Sequence, residues 1–317
     1  RTPNGREGAA RVDRPMVDLV RVGDLWYVIT SGSDSGARHV PAELDANSLA
    51  GAVRMTRLFH TSPPQTQRLL LDGLRRLLNP LHEILAEHLP DEPAEEILIG
   101  ADEALSDIPW TILPCLWDRP FSVLPTHRHL QDRTDRISSA EAVSILVGPG
   151  LDSEAAETLS NGHLSIDRVD TSTFDGLSNA MDARVVHIAA HGGPEPDNPL
   201  FNWLDFDFGR VFLHDLMFLD AVPETVVLAA CYAGQTQRLG AGGTASFANG
   251  FLGIGSRWVI AASTALADDE NLTNFASEVL GRVIDGVSPP QALASARESA
   301  PGGAENPAAI AFTCYGG

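Results

Sequence analysis

Apolar positions in the second half of the chain fall in short unbroken runs. Val143–Val147, Ala183–Ala190, Thr225–Ala230, Arg257–Ala262 and Ala308–Cys314 are such runs, rich in β-branched residues or alanine. Runs of this length predict strands buried on both faces, as in a parallel sheet. Between them, Ser153–Ser160, Thr171–Met181, Leu213–Leu219, Thr244–Leu252, Asn271–Val283 and Pro290–Ala300 carry helical patterns. Strand and helix alternating in this way predict an α/β fold, a mostly parallel sheet with helices on both faces.

The first half is less regular. Leu25 to Thr30 reads as a strand and Ser31 to Gly36 as a turn. From Gln65 to Leu89, Leu69, Leu70, Leu74, Leu77, Leu78, Leu81, Ile84 and Leu85 recur at helical spacing. They predict one long amphipathic helix, bent at Pro80 and stopped by Asp91-Glu92-Pro93. Ile97 to Gly100 and Phe121 to Leu124 predict two more strands. The polar stretch Gln131 to Glu141 divides a smaller α/β half, 1–140, from a larger one, 141–317.

Two of the predicted strands end on reactive side chains followed by glycine: Val185-Val186-His187-Ile188-Ala189-Ala190-His191-Gly192 and Val226-Val227-Leu228-Ala229-Ala230-Cys231-Tyr232-Ala233-Gly234. The stretch joining them fits a crossover, which makes the strands parallel and brings both side chains out at one edge. With neighbouring strands ~4.8 Å apart, a thiol nucleophile and an imidazole base would share one cleft. The backbone N–H groups of Gly192 and Cys231 are the natural oxyanion donors. The competing reading makes Cys231 a small buried hydrophobe and His191 a hydrogen-bonded loop residue. From the residues alone both stay open.

Other motifs carry less. His187 and His191 have the spacing of half a zinc site, but Ile188 stands where a metalloprotease has glutamate and the local pattern is a strand, so a buried structural His187 is expected. Gly148-Pro149-Gly150 follows a strand but lacks the third glycine of a nucleotide loop. Asp205 and Asp207 alternate with Trp203, Leu204, Phe206 and Phe208 as in a solvated edge strand. Cys115 and Cys314 lie in apolar contexts.

Composition narrows the classes. Net charge is −20 and all 22 basic residues are arginine, so no lysine chemistry is available and a nucleic-acid backbone is a poor partner. Three scattered cysteines suit neither a disulfide framework nor a zinc cluster, and point to a reducing cytoplasm. No cofactor motif appears, no apolar run approaches the ~20 residues of a membrane span, and the first fourteen residues lack the apolar core of a signal peptide. The start at Arg1 in place of Met suggests a fragment or processed product.

The segments around His191 and Cys231, the glycine-rich stretch from Gly240 to Gly250, and Gly253 to Ala261 together resemble the CHAT family, caspase-like cysteine peptidases of the caspase–separase group. Pro290 to Arg297, Asn306 to Phe312 and the N-terminal Ile97 to Pro109 extend the resemblance over nearly the whole chain. It implies a caspase-like catalytic half over 141–317 preceded by a pseudo-peptidase-like half. It also implies His191 as base, Cys231 as nucleophile, a protein substrate, and a role in bacterial defence or programmed cell death. A catalytically silent scaffold and, further off, a zinc hydrolase remain the alternatives.

The family's tryptophan after the strand ending Ala261-Ala262-Ser263-Thr264 is missing, and Ala229 stands where some arginine-cutting relatives carry an acid. Asp268 and Asp269, with Glu270, could supply a carboxylate for a basic substrate side chain, or simply open the next helix. The resemblance implies a sensor or regulator attached to or associated with the peptidase. Gly240-Ala241-Gly242-Gly243 is the candidate mobile element through which it would act.

Overall fold

The computed structural model describes residues 14–31, 36–40, 44–93, 95–125, 141–151, 166–168, 173–238, 244–266 and 270–317. It opens with strands β1 (Met16–Val22), β2 (Leu25–Ser31) and β3 (Gly36–Val40) and helices α1 (Ala46–Thr61), α2 (Pro64–Leu77) and α3 (Asn79–Ala86). Strands β4 (Ile97–Ala101) and β5 (Phe121–Leu124) follow, then β6 (Val143–Val147), β7 (Ile166–Arg168), α4 (Phe174–Ala180) and β8 (Val185–Ala189). Short strands β9 (Gly192–Gly193), β10 (Trp203–Phe206) and β11 (Gly209–Phe212) precede β12 (Thr225–Ala229), β13 (Gln237–Arg238) and β14 (Thr244–Ala245). The chain continues through α5 (Phe247–Ile254), β15 (Trp258–Ala262), α6 (Glu270–Ile284), α7 (Pro289–Ser299), α8 (Pro307–Ala311) and β16 (Phe312–Gly316).

Eleven strands form one sheet in the order β3-β2-β1-β4-β5-β16-β15-β12-β8-β6-β7. All pairs are parallel except β1–β2, β2–β3 and β15–β16. Both faces of the central strands are buried, which is why they read as unbroken apolar runs. Val186, Ile188, Val226, Leu228, Val259 and Ala261 pack in the layer containing α1 to α5. Val185, Val227, Trp258 and Ile260 pack with α6 and α7. The fold is therefore a mostly parallel α/β sheet with helices on both faces, as the sequence predicts.

Several elements differ from the sequence expectation. The long helix from Gln65 to Leu89 is two helices: α2 ends at Leu77, and α3 restarts with Pro80 in its first turn, where a proline costs no hydrogen bond. Leu71, Leu74, Leu81 and Leu85 still bury one continuous stripe, each worth about 1.5–3 kcal/mol of apolar transfer. Helix α1 has a sparse apolar face (Leu49, Ala52, Phe59) and is started by Asp45, whose side chain accepts the Ser48 N–H at 2.9 Å. The predicted strand from Ala308 begins as α8, because Asn306 caps the Ala308 and Ala309 N–H groups; the strand starts at Phe312. Leu213–Phe218 is a tight 3-10 turn, and β14 precedes α5 where one helix was expected. The expected helix 153–160 and the loop 240–243 lie outside the described residues.

Candidate functional site

Strands β8 and β12 are parallel neighbours in register from Val185↔Thr225 to Ala189↔Ala229. His191 and Cys231 each stand two residues beyond that last rung. The crossover between them is the antiparallel sheet β9–β10–β11 and the 3-10 turn, in place of a helix. It returns to the site: the Asp205 N–H donates to the His191 carbonyl at 2.8 Å. The loop after β6 closes the other side, since a Cβ built on Gly150 would lie 4.0 Å from His191 Nε2. His191 itself is exposed.

Gly192 is where the two loops meet. A Cβ there would stand 3.1 Å from the Cys231 carbonyl oxygen, 3.1 Å from Leu204 Cδ2 and 3.2 Å from the Trp203 carbonyl oxygen. Only a residue without a side chain lets the backbones approach this closely.

Cys231 is half-buried and free. Its sulfur accepts the Leu266 N–H at 3.3 Å and faces the Leu266 carbonyl at 3.8 Å. Among the described residues no hydrogen bond joins the thiol to His191. The next residue, Tyr232, has φ of 59°, the one left-handed non-glycine residue among those described. Such a conformation costs of order 1–2 kcal/mol and must be held by its surroundings. The Tyr232 N–H donates to the Thr264 carbonyl at 3.0 Å, the Gly234 N–H to Ala262 at 2.8 Å, and the Ala248 N–H to Ala233 at 3.1 Å. The turn is thus fastened to the end of β15 and to α5.

A further grip comes from the first half of the chain. Asp107, in the turn after β4, accepts the Thr236 N–H at 2.7 Å. Burial pushes its carboxyl up to about 6, against the pull of that N–H and of Arg57 on α1. With its amide oxygen turned toward α1, Gln235 accepts from the Arg57 guanidinium. Sequence reasoning missed Asp107, Arg57 and Leu266. The first two act across more than a hundred residues, and Leu266 acts through its backbone.

The other candidates separate cleanly. Burial pushes the Cys115 thiol up to about 11 and the Cys314 thiol well above its ordinary value. His187 is buried inside the sheet and held neutral, its value lowered by burial to about 4, whereas His191 lies exposed at the edge. Among the described residues no group of three or more His, Cys, Asp or Glu could hold a metal ion. Asp268 and Asp269 lie outside the described residues, and Glu270 opens α6. No helix among the described residues is long and apolar enough to cross a membrane.

A family model described as the CHAT domain matches residues 138–309. Two crystal structures of the Saccharomyces cerevisiae separase–securin complex, at 2.6 and 3.0 Å, are similar in fold, with TM-scores of 0.67 and 0.66 at 10% and 11% identity. Each likeness covers 96% of this chain but 30% of the separase chain, so this protein spans less than a third of those it resembles. No curated relative matches the chain.

Proposed function

Because the chain belongs to the CHAT family, we propose that it is a cysteine endopeptidase in which His191 and Cys231 form the reacting pair. The observation that carries this reading is the shared register: imidazole and thiol follow the same rung of two adjacent parallel strands. The geometric fastening of the turn after Cys231 supports it, since a nucleophile must be held in place.

In the proposed reaction His191 takes the thiol proton and the sulfur adds to the scissile carbonyl carbon. The N–H groups of Gly192 and Cys231 hold the oxyanion. Collapse breaks the C–N bond, and His191 returns the proton to the leaving amine. Water, deprotonated by His191, then cleaves the thioester, releasing a carboxylic acid and the free thiol.

The substrate is a protein, and a separate or attached regulator controls access to the site. A role in bacterial defence or programmed cell death, in the cytoplasm, fits that control. Engagement of the thiol by Leu266 fits a resting state that substrate must displace.

The same engagement, with no bond to His191, favours a second reading: a silent scaffold that only recognises partners. Alkylation by a peptidyl ketone separates the two. Selective, His191-dependent labelling of Cys231 over Cys115 and Cys314 supports the peptidase. Labelling of Cys231 no faster than of the other two, and unchanged in His191→Ala, supports the scaffold.

A further inference from the structure

Leu266 has two sides. Its backbone holds the Cys231 sulfur, and the residue also lines a cavity of about 440 Å³ between the α1–α2 hairpin and the 301–308 segment. That volume lies within the range of sites that take a discrete ligand group.

The walls have a definite chemistry. Phe59, Leu71, Leu272 and Ala308 supply apolar surface. Asn271, Asn306, Arg68 and Glu305 are already engaged with one another, while the buried Nε2 of His60 has no hydrogen-bond partner and offers an uncharged polar contact. Asn271 and Asn306 exchange amide hydrogen bonds at 3.2 and 2.9 Å, and the Asn306 amide also caps α8 and donates to the Pro301 carbonyl at 2.8 Å. At the rim Arg68 and Glu305 pair at 3.6 Å, leaving no net charge between them. His60 is held neutral, its value lowered by burial to about 4. A charged group reaching the inner walls would lose water and find a counter-charge only at the exposed rim, whereas an apolar group loses nothing.

We infer that this cavity receives a large uncharged side chain, of the leucine, methionine or phenylalanine class, from the polypeptide bound at Cys231. The inference rests on the peptidase reading and deepens it. A substrate seated against the 263–266 turn would fill the cavity on one side of Leu266 and present its scissile bond to the sulfur on the other. The exposed rim pair carries no net charge, so it favours neither arginine nor aspartate over an apolar side chain.

Two measurements on the whole protein test this. In the Cys231→Ala protein, saturation-transfer NMR follows N-acetyl-phenylalanine amide, N-acetyl-leucine amide, and the arginine and aspartate equivalents. The first two should bind and the charged pair should not. Ala308→Leu, which fills the floor, and Gln67→Trp, which covers the mouth from the half-buried face of α2, should each weaken binding. In the Cys231 protein, tripeptidyl ketones carry phenylalanine, leucine or glycine at each position in turn, with adducts located by mass spectrometry. At one position the phenylalanine-over-glycine or leucine-over-glycine ratio of labelling rates should fall about 10-fold or more in both variants, the size of effect that losing apolar contact in a pocket produces.

Failure of the apolar amides to bind, or equal binding in both blocked variants, overturns the inference. So does a labelling ratio that neither variant changes. If the amides bind and are blocked but no ketone reacts at Cys231, the cavity stands as a side-chain pocket and the peptidase reading falls.

Discussion

Replacing Asp107 by asparagine asks whether the turn after Cys231 is held by a charge or only by an acceptor. Asp107 accepts the Thr236 N–H at 2.7 Å, and burial raises its carboxyl from 3.8 to about 6. The unfolded chain keeps the ordinary value, so the folded state prefers the neutral acid. As far as this group is concerned, stability is full below pH 3.8, falls as pH rises from 3.8 to about 6, and is level above. At about 1.4 kcal/mol per tenfold change in proton affinity, the gap between the two values amounts to about 3 kcal/mol at pH 8.

Asparagine keeps an acceptor for Thr236 and never ionises. Asp107→Asn should therefore exceed the wild type by about 1–3 kcal/mol at pH 8, by about half as much at pH 5, and by little at pH 4. Urea unfolding at the three values measures this. Asp107→Ala should instead be less stable than Asp107→Asn by about 1–3 kcal/mol, because the Thr236 N–H loses its acceptor. An asparagine variant less stable than wild type at pH 8 would refute the reasoning, since the attraction to Arg57 would then outweigh the cost of burying the charge. If the gain is found, the protein keeps an ionised carboxylate against the turn after Cys231 at the expense of stability, as functional sites commonly do.

Cys231→Ala should abolish cleavage while thermal unfolding moves by no more than about 1–2 kcal/mol, the side chain being small and half-buried; retained cleavage would remove the assignment. Gly192→Ala forces a carbon to 3.1 Å from the Cys231 carbonyl oxygen, and kcat/KM should drop about 10-fold or more, with a stability loss of about 1–3 kcal/mol from overpacking. Tyr232→Gly should be more stable than Tyr232→Val by at least about 1–2 kcal/mol, because a β-branched residue suits the left-handed turn worst; calorimetry decides. His187 titrates at about 4 when folded and 6.5 when unfolded, so its contribution is complete above pH 6.5 and is lost as pH falls toward 4, about 3 kcal/mol in all. His187→Leu should flatten that acid limb of the stability curve, and an unchanged limb would place the loss elsewhere.

The strands around the site were legible because two-sided burial leaves unbroken apolar runs, as in Val185–Ala189 and Trp258–Ala262. The edge where His191 and Cys231 emerge was legible for the same reason: a reactive side chain next to glycine marks where such a run stops. Helix α1 was missed because its buried face holds only Leu49, Ala52 and Phe59, with the polar Thr56 among them. The Ala308–Ala311 turn looked like strand because its caps, Asn306 and Pro307, count for more than the apolarity of the run. The crossover looked like a helix because Leu213, Leu216 and Leu219 are buried at a spacing a 3-10 turn shares. Nothing in sequence separation could pair Asp107 with Thr236.

Strand β16 has a consequence for the order in which the protein is made. It lies between β15 and β5, antiparallel to one and parallel to the other, and so joins the two halves of the sheet at its centre. On the ribosome, the other ten strands of the sheet emerge before it. Until 312–316 follow, β5 and β15 both present open edges, and Tyr315 cannot take its place beside Gly234 in the turn after Cys231. A nascent chain can therefore carry His191 and Cys231 on strands already paired while the sheet between β5 and β15 is still open.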